Sequence, residues 1–221
     1  MRALVPDVCD EVVVLGAHCD DIAIGAGGTL LAWCLARPGL RVRALVLSGG
    51  GTARETEEHA ALAALCPDAD LEVTVLDLPD GRFPTHWERA KDALEEFRRG
   101  CEPDLVLAPS EHDHHQDHRG LARLVPTVFR DHLVLGYEIL KAEADLRQPL
   151  VFVPLTTDVL SEKCRVLHAS YPSQASRTWF DDETFRGLAR VRGVQGGHHY
   201  AEGFHPVRLS ISPIGHVGGD R

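Results

Sequence analysis

Short apolar runs alternate with longer helix-forming segments through the first half of this chain. Strands are predicted at residues 12–17, 41–47, 71–76 and 105–108. Helices are predicted between them, at residues 29–36, 54–66 and 87–99. Such an alternation indicates a parallel sheet with helices on both faces. The predicted fold class is therefore α/β, Rossmann-like, with a mostly parallel sheet.

The second half of the chain has a less regular pattern. It predicts strands at residues 133–137, 150–154 and 207–211, and helices at residues 161–169 and 183–191. No internal repeat, low-complexity stretch or clear linker separates the two halves. We therefore expect residues 1–221 to form a single domain, whose C-terminal extension walls the active site.

Net charge, hydropathy and cysteine usage indicate which partners and which compartment this chain favours. The net charge of −10 disfavours binding to nucleic acid or to an anionic membrane. No apolar run approaches the ~20 residues of a membrane span, and the first residues lack the apolar core of a signal peptide. The six cysteines are scattered, as in a reduced cytoplasmic protein. Oligomeric state is left open, a homo-oligomer included.

A polar, glycine-rich segment follows the first predicted strand and reads HCDDIAIGAGG from His18 to Gly28. Asp20 and Asp21 are adjacent carboxylates beside His18, and such a cluster favours a nearby positive species, most simply a divalent metal ion. Neighbouring residues of a turn point in different directions. One aspartate can therefore bind the metal while the other faces the attacking water. The alternative is a solvated turn that caps the next helix.

A second polar segment follows the fourth predicted strand and carries four histidines between His112 and His118. His115 and His118 are three residues apart, with Asp117 between them. A catalytic zinc site uses three protein ligands and an open position, and histidine with carboxylate also suits iron or manganese. Because both segments follow strands of a parallel sheet, we expect them at the same sheet edge, where ligands bind. A solvated loop is the alternative for the histidine run.

Together, these motifs resemble those of the PIG-L/LmbE-like zinc deacetylases, with AHxDDxxxGxGG read as Ala17–Gly28 and HxDH as His115–His118. The resemblance implies a zinc-dependent N-deacetylase, a hydrolase of linear C–N amide bonds. Its substrate would be a small N-acetyl amino sugar, such as an N-acetylglucosamine glycoside, a nucleotide sugar or a glycolipid. An alternative within the same chemistry is a zinc hydrolase of a non-sugar amide in natural-product metabolism.

The resemblance also implies roles for individual residues. His18, Asp21 and His118 would be the zinc ligands. Asp20 would be the general base for the attacking water. His115 would stabilise the oxyanion or act as the acid, and Asp117 would orient a histidine. A non-catalytic binding module of this fold would lack a ligand or the base, whereas this chain has all of them.

Two positions depart from the commonest family pattern, which has Pro and Glu where this chain has Cys19 and Ile22. We expect Cys19 to pack as a small apolar residue rather than to bind the metal. Asp113 stands where the mycothiol-pathway enzymes have a tyrosine, which leaves oxyanion stabilisation more to the metal and His115, or to an unidentified donor.

Three cations follow predicted strands and are expected to bind substrate: Arg54, Arg82 and Lys141. The alternative is that they are ordinary surface residues. Gly25, Gly27 and Gly28 are expected to let the chain pack closely on the sheet and to let the sugar approach the backbone.

Overall fold

The computed structural model describes residues 9–209, which form seven strands and six α-helices. In chain order they are β1 (Glu11–Gly16), α1 (Asp21–Ala36), β2 (Arg41–Val46), α2 (Ala53–Leu65), β3 (Asp70–Val75), α3 (Trp87–Arg99), β4 (Leu105–Pro109), α4 (Gln116–Val128), β5 (Leu133–Tyr137), β6 (Val151–Leu155), α5 (Thr157–Ser170), α6 (Asp182–Gly196) and β7 (Tyr200–Pro206). Short 3-10 turns at Phe83–His86 and Pro172–Gln174 precede α3 and follow α5.

One sheet with the strand order β3-β2-β1-β4-β5-β7-β6 runs through the molecule. The first five strands in this order are parallel, and β7 is antiparallel to both β5 and β6. The predicted α/β, mostly parallel fold is confirmed. The order reverses between β1 and β4, and in sheets of this kind the crevice at such a reversal binds ligands.

The strand β1 lies inside the sheet, between β2 and β4, and is buried along its whole length. Val12 and Val14 pack with α1, α2 and α5 on one face, whereas Val13 and Leu15 pack with α3 and α4 on the other. A strand covered on both faces is apolar throughout, which explains why its sequence predicted it so clearly. That residues 1–221 form a single domain stays a prediction.

The helix α1 begins at Asp21, whereas the sequence predicted a turn up to residue 28 and a helix only from Thr29. The prediction was wrong because the glycines serve close packing rather than a turn. A Cβ atom at Gly25 would lie 2.1 Å from the ring of Tyr137 on β5. Close approach to the sheet, as predicted, therefore requires glycine here. The glycines of α1 do not line the cavity described below, so the predicted approach of sugar to them has no support.

A buried ion pair holds the middle of α1 against the C-terminal half of the chain. The Glu202 carboxylate accepts hydrogen bonds from the backbone N–H groups of Gly28 and Thr29, at 2.9 and 2.7 Å. Lys163 donates to the same carboxylate and to the carbonyl of Ile24, both at 2.6 Å. These contacts fix the helix that begins at Asp21.

The last strand was predicted at residues 207–211, and this is wrong: β7 spans Tyr200–Pro206. Val207 and Leu209 are exposed, and residues 210 and 211 lie outside the described residues. Glu202 and Gly203 break the apolar pattern of β7, although both are buried. The helix α4 was not predicted, because its histidine-rich start resembles a loop and Pro126 lies near its end. Within residues 9–209, no helix is both long and apolar enough to cross a membrane.

Candidate metal centre and active site

The turn between β1 and α1 is tied together by Asp21, the first residue of the helix. Its Oδ2 atom accepts hydrogen bonds from the backbone N–H groups of Ala17 and His18, both at 2.9 Å. Its other oxygen, Oδ1, lies 3.2 Å from Nε2 of His118, near the start of α4. Asp21 is therefore fixed by the backbone while it faces the second polar segment.

Three donor groups from the two segments converge at this point. Nδ1 of His18 lies 3.0 Å from Nε2 of His118 and 3.5 Å from Oδ2 of Asp21. Zinc ligands 2.0–2.2 Å from the ion in a tetrahedral arrangement are separated by about 3.4 Å. The three groups are candidate ligands of a divalent metal, because their separations of 3.0–3.5 Å are close to this value.

Two further carboxylates orient the histidines from behind. Nε2 of His18 lies 3.2 Å from Oδ2 of Asp117, and Nδ1 of His118 lies 2.8 Å from Oδ2 of Asp113. Asp117 also accepts from the backbone N–H of Gly81 at 2.7 Å. Metal-bound histidines usually have such a partner on the second ring nitrogen. The histidine that the structure places against Asp117 is His18.

The electrostatics of this cluster favour a cation. Burial disfavours protonated His118, but the carboxylates of Asp21 and Asp113 outweigh it and raise the pKa of His118 to about 9. Asp21 and Asp117 likewise hold the pKa of His18 well above its usual value, against burial. Burial also opposes the charge on Asp21, but the two histidines hold its pKa well below the usual range. A divalent cation would replace the protons on the two imidazoles.

Two other groups of potential ligands share His18. One combines it with His115 and His118, the other with Asp80 and Asp117. Asp80 lies 3.1 Å from Nε2 of His18, but its side chain is 81% exposed. Nδ1 of His18 faces the buried Asp21 and His118, which makes these three residues a further candidate ligand set.

Asp20 adopts a left-handed backbone conformation, with φ 106° and ψ −25°. Its side chain makes no hydrogen bond to the helix it precedes. Instead, Oδ2 accepts from Arg54 at 2.8 Å, and Oδ1 has no hydrogen-bond partner among residues 9–209. Burial, reinforced by the neighbouring Asp21, raises the pKa of Asp20 to about 7. Asp20 thus presents one uncommitted carboxylate oxygen beside the candidate metal ligands.

His115 is the N-cap residue of α4, and its Nδ1 atom accepts from the backbone N–H of Asp117 at 3.3 Å. Burial, together with His118 and His18, lowers the pKa of His115. The ring is therefore neutral near neutral pH and carries its proton on Nε2. Such a ring can donate a hydrogen bond to a developing negative charge.

A cavity of about 620 Å³ opens over these groups. We call the side formed by the strand ends the inner wall; it comprises His18, Asp20, Asp21, His115 and His118. We call the side formed by the C-terminal half the outer wall; it comprises Ala142, Glu143, Gln174, Arg177 and Trp179. The volume is in the range of small-molecule sites.

The three predicted substrate cations have different surroundings. Arg54 lines the cavity, but it bonds Asp20 and, at 2.6 Å, Ser173. Lys141 also lines the cavity, but it donates to Asp113 at 2.7 Å and to Asp145 at 3.3 Å. Arg82 is exposed and does not line the cavity, so the geometry gives its predicted substrate contact no support.

Some functional residues were missed or reassigned. Asp113 was considered only as a replaced tyrosine, whereas it orients His118. Its place within the histidine run was the one signal that could have identified it. The outer-wall residue Arg177 has no pattern in the sequence that marks it. Cys19 is buried, and its thiol donates to the carbonyl of Ser48 at 3.4 Å, as expected of a packed residue.

Known proteins with the same fold include both deacetylases and an enzyme of another class. An N,N'-diacetylchitobiose deacetylase from Pyrococcus horikoshii superposes with a TM-score of 0.67 at 22% identity, over 90% of this chain and 84% of that one. GalB, the 4-carboxy-2-hydroxymuconate hydratase of Pseudomonas putida KT2440, gives 0.71 at 20% identity, over 92% and 98%. Because the fold supports different reactions, it does not by itself identify the activity.

Sequence similarity identifies the family of this chain, which similarity of fold alone does not. A diacetylchitobiose deacetylase from Thermococcus kodakarensis is 28% identical over 242 residues, which cover 94% of this chain and 88% of the relative. The model of the PIG-L family, described as GlcNAc-PI de-N-acetylase, matches residues 13–129. This match spans more than half of the 221 residues and includes both polar segments. The chain therefore belongs to the PIG-L family.

Proposed function

We propose that this protein is a metal-dependent N-deacetylase that hydrolyses the acetamide of an amino-sugar substrate to acetate and a free amine. His18, Asp21 and His118 would hold the metal. Zinc is our choice, because two imidazoles and one carboxylate with an open position are typical of catalytic zinc. Iron and manganese suit the same donors.

One observation carries the proposal: the candidate metal ligands line the same cavity as an uncommitted carboxylate oxygen and a neutral imidazole N–H group. Amide hydrolysis needs these three functions together. It requires an electrophile for the carbonyl, a base for the attacking water and a donor for the oxyanion. Asp20 and His115 supply the second and third.

The residues then have defined tasks. A divalent metal supplies polarisation of the acetyl carbonyl and acidification of a water molecule. Asp20 accepts a proton from the attacking water while the water oxygen forms a bond to the carbonyl carbon. His115 donates its Nε2–H to the negatively charged oxygen. The C–N bond breaks, and the proton held by Asp20 passes to the departing amine nitrogen.

The substrate class follows from the family and the cavity. The Thermococcus relative is named for an acetylated amino-sugar disaccharide, and the cavity is large enough for a sugar with a further group attached. We therefore propose a glycoside, nucleotide sugar or glycolipid of the N-acetylglucosamine type. The six cysteines are free thiols, which supports a cytoplasmic enzyme.

The proposal is tested by acetate release from a panel of N-acetylglucosamine derivatives, with and without chelator. We expect chelator-sensitive release that returns when zinc is added. The Asp20→Asn variant should keep its zinc but lose about 10²–10⁴-fold in kcat, the usual contribution of a general base. Near-normal turnover in this variant would remove Asp20 from the mechanism. Zinc binding without acetate release from any sugar would point to the hydrolysis of a non-sugar amide.

A further inference from the structure

The candidate base, Asp20, depends on an unfavourable backbone conformation. Its φ of 106° lies in the left-handed region, which is unfavourable for a non-glycine residue and persists only where the surroundings enforce it. Among residues 9–209, only Asp20 and Asp68 of the non-glycine residues have a positive φ. The conformation directs the Asp20 side chain away from the helix cap and towards Arg54. Something must therefore hold the backbone there.

Glu58 on α2 restrains the backbone of Asp20. Its Oε2 atom accepts a hydrogen bond from the backbone N–H of Asp20 at 2.8 Å. The same oxygen accepts from the hydroxyl of Tyr171 at 2.7 Å, and both Glu58 and Tyr171 are fully buried. The other oxygen of Glu58 is buried without a partner. A buried carboxyl group with one unpaired oxygen is costly, so stability alone does not account for it.

Two residues of the helix α2 thus form hydrogen bonds with Asp20. Arg54 bonds its side chain, and Glu58, one helical turn later, bonds its backbone. Arg54 also lies over the ring of Tyr171, 5.5 Å from the centroid. Glu58 and Tyr171 are therefore part of one assembly around the candidate base, although Asp20 and Glu58 are 38 residues apart in the chain.

We propose that Glu58 is a positioning residue, which holds the backbone of Asp20 in its left-handed conformation and so aims the carboxylate into the cavity. Tyr171 fixes the Glu58 side chain. Glu58 touches neither the substrate nor the candidate metal ligands in this account. The proposal rests on the proposed deacetylation, in which Asp20 is the base.

Two substitutions of Glu58 separate positioning from charge. Glu58→Gln keeps an oxygen that can accept from Asp20 and Tyr171, so kcat should stay within about threefold. Glu58→Leu removes the acceptor, and kcat should fall about 10–100-fold, as is usual for residues that support a catalytic group. KM and zinc content should stay within about twofold. Tyr171→Phe, which leaves the Asp20 contact in place, should lose less than Glu58→Leu and covers the case in which Glu58→Leu does not fold.

Glu138 offers a matched control, because it is a second buried carboxylate. It is paired with Arg192 at 2.5–2.8 Å and has no contact with Asp20. Glu138→Gln should lower the melting temperature without lowering kcat. A loss of kcat in this variant equal to that of Glu58→Leu would mean that general destabilisation explains the effect, and the proposal would be wrong.

Hydrogen exchange at the Asp20 amide tests the positioning without any assay of turnover. In the zinc-loaded protein this amide should be protected, and Glu58→Leu should accelerate its exchange at least about tenfold relative to amides of β1. Unchanged exchange would overturn the proposal. Faster exchange with unchanged kcat would overturn its catalytic relevance. If the wild-type protein hydrolyses no amide, the proposed function fails, while the exchange data still decide whether Glu58 holds Asp20.

Discussion

The two walls of the cavity are built in different ways. On the inner wall, Asp21 accepts two backbone N–H groups, and His18 and His118 each have a carboxylate behind the ring. On the outer wall, Arg177 is exposed, and its guanidinium has no hydrogen bond or ion pair within residues 9–209. Trp179 is half-buried, and its indole ring packs against Phe180.

This difference suggests that the inner wall carries the chemistry, whereas the outer wall contacts the substrate. The inner wall lies at the ends of β1 and β4 in the middle of the sheet, where strand positions fix each group. The outer wall belongs to the segments that connect β5 to β6 and α5 to α6, and connecting segments tolerate change more readily. We therefore expect changes on the inner wall to affect metal binding and kcat, and changes on the outer wall to affect KM.

The largest expected effect is the loss of zinc and turnover in His118→Ala. The variant His115→Ala is the comparison, because it should keep its zinc. His118→Ala removes a proposed ligand, so zinc content and turnover should both be lost, the latter by about 10³-fold or more. His115→Ala removes only an oxyanion donor, so zinc should remain while kcat falls about 10²–10³-fold. Metal analysis and acetate release distinguish the two. Loss of zinc in both variants would make His115 a ligand instead.

A smaller effect is expected when Asp113 is changed to Asn. The amide can no longer hold the proton of His118 Nδ1 as a carboxylate does, so zinc affinity should fall about 10–100-fold. Competition with a chromogenic chelator measures it. Asp145→Asn is the control, because it removes the second carboxylate on Lys141 and leaves the contact between Asp113 and His118 intact. Equal losses would show that the effect does not depend on the contact between Asp113 and His118.

On the outer wall, we expect a substitution to change KM rather than kcat or zinc affinity. Trp179→Ala should raise KM by up to about tenfold, because its indole ring lines the cavity and apolar surface buried against a substrate contributes about 1 kcal/mol. Its kcat at saturation should hardly change. Trp87→Ala is the matched control, since Trp87 is 41% exposed and does not line the cavity. A fall in kcat without a change in KM would place Trp179 in the chemistry and break the comparison.

The smallest effect concerns the pH dependence of stability in the metal-free protein. Burial raises the pKa of Glu58 to about 8 from its usual 4.5. Between these values the folded protein retains a proton that the unfolded chain releases, so the free energy of unfolding falls as pH rises. The nearby Asp20, with its pKa raised to about 7, acts in the same direction in both proteins.

Glu58→Gln removes the titration of residue 58 alone. Its melting temperature should therefore rise relative to wild type by a few degrees between pH 5 and pH 8. Thermal unfolding across this range measures the difference. A constant difference between the two proteins would show that the Glu58 carboxyl titrates normally.

Much of the fold could be predicted from the sequence, because buried parallel strands are apolar throughout. The bounds of β1 to β5 differ from the prediction by no more than one residue. The start of α1 could not be predicted from local propensity. Its glycines disfavour a helix, and only contact with Tyr137, more than a hundred residues away, explains them.

The candidate site, too, could be predicted only in part. The two polar segments were predicted to meet because topology alone brings the ends of parallel strands together. Side-chain direction is not contained in such a pattern. Arg82 was expected at the site and is exposed on the surface, whereas Glu58 was overlooked on a helix of ordinary acidic composition.

The central claim is that His18, Asp21 and His118 form a metal centre. The most direct test is a crystal structure of the zinc-loaded protein, with the ion located by anomalous scattering at the zinc edge. The account predicts one ion about 2.0–2.2 Å from His18 Nδ1, a carboxylate oxygen of Asp21 and His118 Nε2. An ion held by Asp80 and Asp117 instead, or no ion at saturating zinc, would contradict it.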